Sequence, residues 1–70
     1  MIKFENKQNG RFYYLIQHRD LFSDMVLTVI RGGYQSRVIR HYGYENQELM
    51  NREIARISKI RISHGYELVT

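Results

Sequence analysis

The sequence predicts an α+β fold: a twisted antiparallel sheet of about four or five strands with one amphipathic helix packed across one face. Three observations lead there. Residues 11–18 and 25–31 are dense in aromatic and β-branched types, which suit a pleated, half-buried surface. Gly32-Gly33 follows the second run and invites a chain reversal at little steric cost. From Asn46 the apolar spacing lengthens to three and four residues, the period of a helix face. A helix with a single apolar stripe must bury it, and the sheet is the layer that can receive it.

In chain order, Ile2 and Phe4 alternate with polar neighbours, which favours a weakly paired strand over a frayed arm. Asn9-Gly10 marks a turn before the strand at 11–18. Asp20 and Asp24 decorate the loop that leads to the clearest strand, Met25–Arg31. Residues 36–42 return antiparallel to it after the glycine pair. Asn46 is the expected N-cap of the helix, and Glu48 suits its positive end. Met50, Ile54 and Ile57 form the buried stripe, flanked by Leu49 and Ile60. Gly65 is the expected terminator, and residues 66–69 can add a short last strand.

Seventy residues make one domain, 1–70, of marginal stability. Cysteine is absent, which closes the disulfide route and thiolate zinc sites. The 43% hydrophobic and 26% charged fractions are those of a globular chain. No apolar run reaches the ~20 residues of a membrane span, and the N-terminus has no signal-peptide core. A reduced, cytoplasmic setting fits best, with no membrane partner.

The net charge of +4 is unevenly spread. No acidic residue occurs between Asp24 and Glu45, a stretch that holds Arg31, Arg37, Arg40 and His41. Such a stretch attracts polyanions by summed potential, although the same arginines also suit solvated strand positions. Interleaved with them are Tyr34, Tyr42 and Tyr44. Guanidinium groups clamp phosphates bidentately and stack on bases, and tyrosines offer further stacking platforms. The same pair of residue types anchors protein interfaces. A secondary basic row, Arg52, Arg56 and Lys59, falls at helical spacing opposite the apolar stripe, diluted by Glu45 and Glu48.

Catalytic chemistry finds no footing. The Asp20/Asp24 pair lacks an enclosing cleft, and no serine sits in a nucleophile motif. His18, His41 and His64 match no ligand spacing and read as solvated or locally bonded, so neither a metal nor another cofactor is expected.

The order of motifs resembles the WGR domain, a family named for a Trp-Gly-Arg signature. An aromatic strand precedes Asp20-Leu21-Phe22, an apolar strand ends in a glycine-containing arginine turn, and the helix leads to His64-Gly65-Tyr66. Tyr14, Leu21, Phe22, Leu27, Gly32, Gly65 and Tyr66 fall at compatible places, over residues 11–69. The signature itself is eroded: Arg31 stands at the Trp position, Gly33 at the Arg position, and Ser23 replaces the glycine after Leu-Phe. The resemblance implies a sheet crossed by a helix. It also implies DNA binding, which in poly(ADP-ribose) polymerases is coupled to neighbouring domains.

The sequence therefore leads to a small non-catalytic, WGR-like nucleic-acid-binding protein. Arg31, Tyr34, Arg37, Arg40 and Tyr42 would contact mainly the DNA backbone, RNA remaining open as a ligand. The alternative is a protein-interaction module, an accessory subunit or small inhibitor, on the same fold. Strand alternation sets Arg37 and Arg40 on opposite faces, so these residues do not all share one surface. Association into a homo-oligomer stays open as well.

Overall fold

The computed structural model describes residues 1–21 and 25–70. Phe22, Ser23 and Asp24, part of the Leu-Phe motif and of the acidic pair, lie outside the described residues. Among the described residues, five strands form one antiparallel sheet: β1 (Ile2–Asn6), β2 (Arg11–Arg19), β3 (Met25–Gly32), β4 (Arg37–Tyr44) and β5 (Glu67–Leu68), in the spatial order β4-β3-β2-β1-β5. A single helix among the described residues, α1 (Gln47–Ser63), lies across one face. This is the expected α+β architecture.

The strongly patterned strands form where the sequence places them. β1 is more than a weak pairing: it is hydrogen-bonded to β2 on one side and β5 on the other. Phe4 at its centre is fully buried, which accounts for the firm pairing. Its second neighbour, β5, is more than sixty residues away in sequence, beyond the reach of local pattern.

Sheet alternation decides what meets the helix. Ile2, Phe4 and Asn6 share the helix-side face with Tyr13 and Leu15, and through the β2–β3 register with Val29, Leu27 and Met25. Met50 and Ile57 of α1 complete this core, and Ile54, Tyr44 and Tyr66 pack around it. Seven buried apolar side chains among the described residues are a small core for one domain.

Helix ends are fixed by side chains and backbone that the sequence names. Asn46 is extended, and its Oδ1 accepts from the Leu49 N–H at 2.9 Å. At the other end the Tyr66 N–H donates to the Arg61 carbonyl at 3.0 Å and the Gly65 N–H to that of Ile62 at 3.1 Å. This is a Schellman closure, which demands a left-handed residue, and Gly65 supplies it at φ 87°.

The glycine pair of the β3–β4 hairpin departs from expectation. Neither Gly32 nor Gly33 takes a positive φ. Gly32 is required for space instead: a Cβ there would lie 2.1 Å from the Ser36 carbonyl oxygen and 3.1 Å from the Phe12 ring.

The helix starts near Gln17, whose side chain accepts from Gln47, and ends near Asn6, which donates to the His64 carbonyl. It therefore runs obliquely from the far end of β2 towards β1. Most of the outer strand β4, all but its Tyr44 end, stays exposed, as does Arg31 near the end of β3.

Candidate nucleic-acid interface

That oblique path leaves a groove on the helix side of the sheet. Its larger part is a cavity of about 250 Å³ where β2 and β3 emerge from beneath the last turns of α1. Arg11, Arg31 and Arg61 converge on it, with Tyr13, Tyr66 and Val38. A second cavity of about 140 Å³ continues it along β4, between Tyr42 and Tyr44 on the strand and Glu53 and Arg56 on the helix. Tyr13 borders both. Arg40 sits on the same face of β4 between Val38 and Tyr42, so it flanks the junction of the two cavities.

Arg61 organises the larger cavity. It continues the helical stripe Met50, Ile54 and Ile57 by one more turn, and its guanidinium lies 4.7 Å from the Tyr13 ring centroid and 5.3 Å from that of Tyr66. The Schellman closure sets up the second contact, because it folds Tyr66 back over the residue five positions earlier. The Nε–H of Arg61 is buried and has no hydrogen-bond partner among the described residues. An anion with free acceptor oxygens suits such a donor.

In the second cavity, Arg56 donates from both Nε and Nη2 to the Glu53 carboxylate. The Arg56 hydrogen bonds hold the Glu53 carboxyl below its ordinary range, against the opposing effect of burial. Burial, reinforced by Glu53, pushes the Tyr44 hydroxyl up. Glu53 is thus the acidic side chain lining a groove that otherwise presents arginines and tyrosines.

The structure divides the residues singled out in the sequence. Arg31, Arg40 and Tyr42 share the groove face, Tyr42 with about half its surface open. Arg37 points from the opposite face of β4, as alternation requires. Tyr34 is 94% exposed at the β3–β4 turn, beyond the groove. The helical basic row splits as well. Arg52 is exposed and paired with Glu48 at 2.8 Å, and Lys59 is exposed, whereas Arg56 turns towards β4 because it lies on the flank of the helix instead of directly opposite the stripe.

Arg11 and Arg61 were not singled out from the sequence. The available signal for Arg61 was its place four residues after Ile57, where an apolar stripe admits a long cation that stacks on aromatics. Arg11 joins only through the β2–β3 register. Two of the histidines meet at one side chain: His18 Nε2 and His41 Nδ1 each lie 2.8 Å from the Thr28 hydroxyl.

No family model matches this chain, and no curated protein or solved structure matches it either.

Proposed function

We propose that this protein is a non-catalytic nucleic-acid-binding module of WGR-like architecture, which takes the backbone of a DNA strand along the groove between α1 and β4. What carries this reading is the convergence of Arg11, Arg31 and Arg61 on one cavity, with Arg56 and Glu53 lining the adjoining one and Arg40 on the same face of β4. Guanidinium groups suit phosphate oxygens because each offers several donors in one plane. Tyr13 and Tyr66 are engaged by Arg61. Tyr42 therefore offers the free ring within the groove, and Tyr34 a second one beyond its end. This favours a strand with unpaired bases, which can stack on exposed rings, over intact duplex. Of the eroded signature, Arg31 is the position that retains a plausible ligand contact, by charge in place of stacking.

Fluorescence-anisotropy titrations of labelled single-stranded, blunt and nicked DNA at several salt concentrations test this. Affinity should fall with salt by roughly 0.7 log units per log unit for each phosphate neutralised on a single strand. Arg31→Ala and Arg40→Ala should each weaken binding and flatten that slope, whereas Arg52→Ala should change neither. Absence of binding at low salt, or equal losses in all three variants, would remove this function.

One observation favours a protein partner instead. β4 is an outer strand, exposed along nearly its whole length, with Val38, Ile39 and Tyr42 open to solvent. Such an edge can accept a strand from another chain. Salt-insensitive capture of a protein ligand, with loss on substitution of Val38, would mark that outcome.

A further inference from the structure

The face of the sheet opposite α1 carries an apolar patch beside the His18–Thr28–His41 cluster, and no described helix covers it. Phe12, Tyr14 and Ile16 on β2, Val26 and Ile30 on β3 and Ile39 on β4 all point to this side. None belongs to the core cluster beneath the helix, and Ile39 is 47% exposed. We infer that this face binds a second copy of the same chain, forming a two-fold sandwich of two sheets with the helices and grooves outward.

The choice of a second copy follows from how the face is arranged. Rows across the sheet are fixed by the pairing registers. One row reads Arg37, Gly32, Phe12, Glu5 and Glu67 from β4 to β5, and the next reads Ile39, Ile30, Tyr14 and Lys3. The first row is therefore positive at its β4 end and negative at its β1–β5 end. A two-fold axis parallel to the strands, passing between β2 and β3, lays β4 of one copy over β1 of the other. Arg37 then meets the partner's Glu5, and the reciprocal pair forms by symmetry. The same operation puts Ile30 over the partner's Tyr14.

Within one chain Arg37 and Glu5 cannot pair, because two strands separate theirs. Lys3 is held to its own chain, its ammonium 5.5 Å from the Tyr14 ring centroid. The charges of this face balance, Arg37 and Lys3 against Glu5 and Glu67, with Lys7 paired to Glu67 at 3.4 Å, so it offers no basic excess to hold a polyanion. Four strands spaced by roughly 4.8 Å and three side-chain rows give about 400 Å² per copy, about 800 Å² in total, which is the size of a weak, transient interface and below that of a stable one. Association with a dissociation constant on the order of 100 micromolar is accordingly expected.

Sedimentation equilibrium of the full chain from a few micromolar to about half a millimolar tests this. The expected species is a dimer of twice the 8.5 kDa chain mass. Arg37→Glu and Glu5→Arg should each weaken association at least tenfold, and the double variant should restore it to within about threefold. Ile39→Lys, at a half-exposed site where folding tolerates it, should also weaken association at least tenfold. Arg31→Ala, on the other face, should leave it unchanged. A monomer throughout the range would overturn the proposal. So would a dimer indifferent to Ile39→Lys, or charge reversals that fail to rescue each other while circular dichroism shows folded chains.

Discussion

Arg61 places its guanidinium 4.7 Å from the Tyr13 ring centroid, which ties the last turn of α1 to the start of β2. Two opposed effects meet at this contact. Stacking of a guanidinium on a ring contributes about 0.5–1 kcal/mol at partly open sites, and Arg61 stacks on two rings. A buried donor without a partner costs about 1–3 kcal/mol, and its Nε–H is such a donor. The two nearly cancel, so this arginine contributes little net stability as arginine and more as a filler of space.

Arg61→Met keeps most of the volume and removes both the stacking and the unpaired donor. Its stability should stay within about 1 kcal/mol of the parent chain in urea unfolding, whereas Arg61→Ala should lose about 2 kcal/mol through lost packing. Nucleic-acid affinity should fall in both variants. Undiminished binding by Arg61→Met would show that the arginine serves the fold alone.

Glu53 works against the groove that contains it. Its carboxylate occupies Arg56 and adds negative potential where phosphates would lie. Glu53→Gln should tighten DNA binding by about two- to tenfold at low salt, and the gain should shrink as salt screens it. The same substitution should change the acid limb of stability. The folded-state carboxyl is held below its ordinary value of 4.5, chiefly by hydrogen bonds from Arg56. Its contribution is therefore present above that value and is lost as pH falls through the lowered one. Unfolding followed from pH 6 to pH 2 should decline less steeply in Glu53→Gln. An identical acid limb would remove the Arg56 contact as a stabilising one.

Local signals explain how much could be read in advance. The strands at 11–18 and 25–31, the Asn46 cap and the Gly65 terminator depend on neighbours within a few residues, and each lies where the sequence puts it. The face shared by Arg31, Arg40 and Tyr42 follows from strand parity once the hairpin register is known. What brings Arg11, Arg31 and Arg61 together is different in kind: two strand registers and the oblique path of the helix. None of these leaves a periodic trace in the chain. Arg61 was hidden further by its type, since a cation at a stripe position breaks the apolar pattern that marks the buried face. Gly32 was legible as a glycine that matters, but through the wrong property, because crowding by Ser36 acts only after the hairpin closes.

Gly32→Ala should accordingly be costly even though the backbone there is ordinary. The added methyl group would meet a backbone carbonyl oxygen at 2.1 Å, and backbone cannot swing aside as a side-chain tip can. A loss of about 2 kcal/mol or more is expected from the forced shift of the β3–β4 turn. Gly43→Ala is the control: its Cβ meets nothing within 4 Å, so stability should stay level or rise slightly. Equal unfolding midpoints for the two variants would mean that the turn relaxes freely.

Asn6 joins the two ends of the chain through one buried amide. Its Oδ1 accepts from the Gln8 N–H at 3.0 Å in the β1–β2 turn, and its Nδ2 donates to the His64 carbonyl at 3.3 Å where α1 ends. Asn6→Ala strands both partners and should cost about 1–3 kcal/mol. Asn6→Asp is the sharper test, because it keeps the acceptor for Gln8 and replaces the donor with a negative charge. That charge would face a carbonyl oxygen at the negative end of the helix, so at neutral pH the loss should at least equal that of Asn6→Ala. Burial, the facing carbonyl and the helix C-terminus raise the introduced carboxyl's folded-state pKa above its unfolded value, against the opposing pull of the Gln8 N–H and of Arg11 across the β1–β2 pair. The protonated form, which can donate to His64, is therefore favoured at low pH, and stability is lost as pH rises through the raised value. Relative to the parent chain at the same pH, Asn6→Asp should recover part of its deficit between pH 7 and pH 4. A deficit that stays constant over that interval would show that the amide's donor contributes nothing to holding α1 against β1.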